Sequence, residues 1–120
     1  MRAAPEKFVR SGPMADAPPE PVARLLKAAN EHDTDAFAAS FTDDGVVDDW
    51  GREFAGAEAI RGWSDEEFIG VDVALTVTDV TTDADLTTVT ADVGGSGYNG
   101  PSHFMFAVRD GLVSRMTIRE

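Results

Sequence analysis

The sequence predicts an α+β domain in which helices come first and an antiparallel sheet follows. Three observations lead there. Apolar residues recur at helical spacing up to Trp63, interrupted by one short strand, and then alternate with polar ones from Val71 onward. The Asp110-Gly111 pair, set between two alternating runs, is a tight-hairpin signal. The apolar sheet face must then pack on the helices, because one layer cannot bury itself.

The chain has 120 residues, 42% of them hydrophobic, enough for one domain with a core. Residues 1–19 hold four of the six prolines and are expected to be a disordered leader, with the domain over 20–120. Met14 competes with Met1 as the natural start. The absence of cysteine excludes disulfides, thiolate catalysis and cysteine-ligated zinc, and fits a cytoplasmic setting. No apolar run approaches the roughly 20 residues of a membrane span. A formal net charge of -12 argues against nucleic acid, whose phosphates call for a basic surface.

Helix one is expected from Pro19 to Glu31, with Val22, Leu25, Leu26 and Ala29 on one face. Asp33 is a fitting N-cap for a second helix, Thr34 to Phe41, on which Phe37 and Phe41 share a side. A turn at Asp43-Asp44-Gly45 opens into a short strand, Val46 to Trp50, and Gly51 marks another turn. A third helix runs from Gly56 to Trp63; Ser64-Asp65-Glu66-Glu67 fits a capping box and suggests a restart. Strands follow over Val71–Thr78, through Val89–Val93, over Ser102–Val108 and over Leu112–Ile118. The run Gly94 to Gly100 is expected to be a wide turn or bulge.

Alternation places Val47 and Asp49 on one strand face, Val46 and Asp48 on the other. If Val47 faces the core, so does Asp49, and inward aspartates are rare unless paired or functional. Asp49 is thus the candidate general acid or base, which needs an apolar setting that raises its pKa. Trp50, Trp63, Phe68, Phe104 and Met116 are candidates to supply it. The competing reading has Asp49 capping the next turn or pairing with Arg52. The acidic cluster lacks calcium-loop spacing, and no metal or other cofactor is expected.

The run AANEHDTDAFAASFTDDGVVDDWGREFAGAEAIRGW, followed by GPSHFMF and DGLVSRM, resembles the nuclear transport factor 2-like superfamily. It is most similar to the SnoaL-like branch of polyketide cyclases and ketosteroid isomerase relatives. The resemblance covers residues 20–119 and implies a cone, a curved sheet wrapped around three helices with a pocket at one end. It also implies a homodimer through the outer sheet face. Asp49 falls where the isomerases carry their proton-moving aspartate. Their oxyanion tyrosine falls at Leu25, which cannot donate, and its protonated aspartate partner at Ser102, a weaker donor. In the epoxide-hydrolase relatives' Asp-Arg-Asp pattern only Asp92 matches, since Thr90 and Met116 or Thr117 replace the others.

These readings predict a pocket for a small apolar molecule, with Asp49 and Ser102 as catalytic candidates. Leu25, Trp50, Trp63, Phe68, Tyr98, Phe104 and Met116 are expected to line it. The function is then a cofactor-independent isomerase, cyclase or dehydratase acting on a carbonyl-bearing or polycyclic substrate. The alternative is a non-catalytic ligand-binding or dimeric assembly module of the same fold.

Overall fold

The computed structural model describes residues 17–120. The expected leader falls outside the described residues, apart from Ala17, Pro18 and Pro19. Helix α1 spans Glu20–Asn30, with proline in its first turn, where a missing N–H leaves no bond unmade. Val22, Leu25, Leu26, Ala28 and Ala29 form its buried stripe. Asp33 caps α2 (Thr34–Ala39), accepting the Ala36 amide at 3.1 Å. The strands are β1 (Phe41–Asp49), β2 (Arg52–Ala55), β3 (Ala74–Asp83), β4 (Leu86–Gly94), β5 (Gly100–Arg109) and β6 (Leu112–Arg119). Helix α3 (Ala57–Glu67) and a short 3-10 turn (Ile69–Val71) connect β2 to β3.

The six strands form one sheet in the order β2-β1-β6-β5-β4-β3. It is curved and unclosed, and with the three helices it makes the expected α+β cone. Its inner face supplies Val47, Leu75, Val89, Ala91, Phe104, Phe106, Val113, Met116 and Ile118 to one core with the helices. Aromatic rings link the layers: Phe68 stacks on Trp63 with ring centres 4.9 Å apart, meets Phe37 on α2 at 5.5 Å and reaches Phe104 on β5 at 6.5 Å.

Several elements depart from the sequence-based expectation. The sheet is not wholly antiparallel, because β1 runs parallel to β6. The expected Asp43-Asp44-Gly45 turn is an irregularity within β1, where register shifts between Phe41 and Val46. Arg52–Ala55, expected as a connection, is a strand paired with β1. Helix α3 continues through Ser64, whose buried hydroxyl has no partner among the described residues, so the expected break is absent. Val71 lies in the 3-10 turn, and β3 starts at Ala74. Beyond Leu75 the alternation fails too. Val77, opposite the buried Ala91, is exposed on this edge strand, and a bulge between Val77 and Asp79 turns Val80, opposite Val89, toward the core.

Candidate functional site

Asp49 sits at the end of β1, in register with Arg52 of β2 on one side and Ile118 of β6 on the other. Ile118 is in turn opposite Phe104 of β5. This row reaches the inner face, where Asp49, Ile118 and Phe104 form part of the wall of a cavity of about 450 Å3. That volume suits a small organic molecule. Trp63, Glu66 and Glu67 come from α3, where i, i+3 and i+4 spacing gives them one side. Phe68, Val71 and Val73 follow, and Val93, Gly94, Gly97, Tyr98 and Ser102 close the opposite wall.

The Asp49 side chain is 17% exposed. Its Oδ2 accepts two donors, the Trp63 indole Nε1–H at 3.1 Å and Arg52 Nη2 at 2.6 Å. Oδ1 has no protein donor among the described residues. Arg52 also grips both oxygens of Glu67, at 2.6 and 3.1 Å, and so ties the end of β1 to the last turn of α3. That guanidinium holds the Glu67 carboxyl below its ordinary value. Asp49 thus faces inward, as the alternation expects, and it also makes the pair with Arg52 that belongs to the competing reading. The turn is capped instead by Asp48, whose Oδ1 accepts the Gly51 amide at 2.7 Å.

Of the residues expected around the pocket, Trp50, Trp63, Phe68, Tyr98 and Phe104 lie in its wall, whereas Leu25 and Met116 do not. Those two are fully buried in the packed core between helices and sheet. Ser102 is in the wall, but its hydroxyl proton goes to the Arg119 carbonyl at 2.9 Å. The Tyr98 hydroxyl donates to the Pro101 carbonyl at 2.8 Å. Neither proton is free for a substrate oxygen in this arrangement. Asp92 is exposed, on the polar sheet face. Glu66 and Glu67 were missed from sequence, although their helical spacing from Trp63 carried the signal; Arg52 was expected only as the partner of Asp49.

Among the described residues no group of three or more His, Asp or Glu side chains is placed to hold a metal ion. None of their helices is long and apolar enough to cross a membrane.

The SnoaL-like domain family model matches residues 22–116. The chain is similar to a polyketide-cyclase candidate from Sinorhizobium meliloti, at 28% identity over 84% of this chain and 94% of that one, with TM-score 0.75. It is also similar to a hypothetical protein with a ketosteroid isomerase-like fold from Catenulispora acidiphila, solved in complex with trimethylamine. There the identity is 23%, the coverage 87% of each chain and the TM-score 0.74. The epoxide hydrolase/cyclase-like enzyme SalBIII, of pyran ring formation in salinomycin, shares the fold at 18% identity. The match covers 82% of this chain and 86% of that one, with TM-score 0.73. A search of curated protein sequences finds no match.

Proposed function

Since the chain belongs to the SnoaL-like domain family, we propose that it is a small-molecule pocket protein with acid–base chemistry centred on Asp49. It acts as a cofactor-independent isomerase, cyclase or dehydratase on an apolar carbonyl-bearing or polycyclic substrate. One observation carries this reading. Asp49 Oδ2 is held by Trp63 and Arg52 while Oδ1 is without a protein donor among the described residues, in the wall of a cavity otherwise lined largely by apolar side chains. A carboxylate oriented through one oxygen keeps the other for a substrate proton, and positioned bases of this kind contribute roughly 10²–10⁴ in rate. Phe68, Val73, Phe104 and Ile118 supply the surface for the apolar body of the substrate.

The reading includes a homodimer through the outer sheet face and a cytoplasmic setting. The exposed His103 and half-buried Met105 of β5 lie on that face, and the chain has no cysteine.

A second reading is favoured by a separate observation. The hydroxyl protons of Tyr98 and Ser102 both go to backbone carbonyls, so neither stabilises an oxyanion as the structure stands. The pocket then binds its ligand without turning it over.

Proton exchange separates the two. In D2O the α-hydrogens of 2-tetralone exchange slowly, and proton NMR follows the loss of their signal. The enzyme reading expects the protein to accelerate exchange above buffer and Asp49→Asn to return it to the buffer rate. Binding without acceleration supports the second reading.

A further inference from the structure

We propose that the ligand of this pocket carries a cationic group, a protonated or quaternary ammonium, on an apolar body. The inference rests on the reading of the cavity as a ligand site and narrows the class of molecule it takes. Among the described residues the wall contains three carboxylates, Asp49, Glu66 and Glu67, and no lysine, arginine or histidine. Arg52, bound to Asp49 and Glu67, offsets one of those charges, and Glu66 has no cationic partner among the described residues. The formal balance at the site stays negative.

The aromatic residues complete the argument. Trp50 and Tyr98 are 56% and 50% exposed and belong to the same wall as the carboxylates. Trp63, buried and stacked on Phe68, serves instead to fix Asp49 by its indole hydrogen bond, which leaves Trp50 and Tyr98 as the accessible rings. An ammonium group is attracted by the faces of such rings and by nearby carboxylates together, and Trp is the strongest of the ring partners. An anionic ligand meets repulsion from this wall. A neutral one, such as a ketone, still meets the apolar wall but leaves the excess of carboxylates unpaired, and so binds more weakly than a cation of the same shape.

Three probes of nearly equal shape test this: trimethylphenylammonium, its neutral isostere tert-butylbenzene and the anion 4-tert-butylbenzoate. Binding is read at low ionic strength from the fluorescence of Trp50 and Trp63, the two tryptophans of the chain, and by calorimetry where solubility allows. The cation is expected to bind at least about tenfold more tightly than the neutral isostere, and the benzoate more weakly than either. Glu66→Gln is expected to weaken the cation about threefold to tenfold and leave tert-butylbenzene unchanged. Glu66 is exposed and has no ion-pair partner among the described residues, so the variant is expected to fold like the wild type; an unchanged melting temperature confirms it. Equal or tighter binding of tert-butylbenzene overturns the cationic class and leaves the pocket reading intact. Saturable binding of none of the three, with 2-tetralone also failing to bind, overturns both.

Discussion

The indole N–H of Trp63, on α3, donates to Oδ2 of Asp49, on β1, at 3.1 Å. The bond joins the helical layer to the sheet at the cavity wall. Trp63 is thereby one of two tethers on the Asp49 carboxylate, the other being the more exposed Arg52, and in the proposed reaction it is a positioning residue. Trp63→Phe keeps a ring against Phe68 and removes the donor. The expected result is a fall of about threefold to thirtyfold in 2-tetralone exchange. Stability should fall by about 1–2 kcal/mol from the lost bond and volume. An exchange rate that does not move would show that Arg52 alone orients the carboxylate.

Asp48 is the more buried of the two neighbouring aspartates, at 7% exposed, although it faces the outer side. Arg119 holds its carboxyl below the ordinary value, and the Gly51 amide and Arg115 add to the effect against the opposing cost of burial. A depressed folded pKa contributes stability that is present above the unfolded value of about 3.9 and is lost as pH falls through the folded one. The wild type should therefore lose stability below about pH 4. Asp48→Asn should lower stability near neutrality by about 2 kcal/mol and flatten that acid decline. Glu67, held by Arg52, acts in the same direction with more solvent exposure and a smaller share. Denaturant titrations across pH 2.5–7 check both.

Two glycines near the pocket give opposite predictions for the same change. A Cβ at Gly70 would lie 1.6 Å from the Asp65 carbonyl oxygen, so Gly70→Ala must displace the backbone after α3. The expected loss is about 2 kcal/mol or more. Gly62 lies within α3 with open space around its Cβ position. Gly62→Ala should stabilise by about 0.5–1 kcal/mol. Melting temperatures of the two variants settle the signs.

Trp50 takes φ of 56° at the turn between β1 and β2, followed by Gly51 at 91°. A bulky residue in the left-handed region is strained, and such strain persists where function keeps it. Asn is at ease in that conformation and suits this two-residue turn. Trp50→Asn should raise stability by about 0.5–1 kcal/mol while weakening ligand binding several-fold. A variant that gains stability and binds as before would remove Trp50 from the site.

The sequence made the helices legible because their signals are local: the Val22-Leu25-Leu26-Ala29 stripe and the Asp33 cap need only neighbouring residues. The Asp110-Gly111 hairpin is local for the same reason, with φ of 55° and 76° in the turn. What stayed hidden depends on distant parts of the chain. The parallel pairing of β1 with β6 brings Arg115 and Arg119 over Asp48, about 70 residues away in sequence. Alternation alone could not foresee that an outward aspartate would be the more buried one. Bulges hid the rest: after Val77 one inserted residue reverses which side chains face inward. At the site, alternation found Asp49, and ring count found most of the aromatic wall. Leu25 and Met116 were misplaced because core and cavity share one apolar surface, and pattern does not tell a packed face from an open one.

The two indole N–H signals of 15N-labelled protein test the central claim most directly. Trp50 should be recognisable by its absence in Trp50→Asn, which leaves the other signal to Trp63, the second of the two tryptophans. On titration with 2-tetralone, both signals should move saturably with one common dissociation constant in the wild type. That result would place a ligand between the pocket mouth and Asp49. Two signals that stay fixed while the ketone binds elsewhere, or does not bind, would contradict the account.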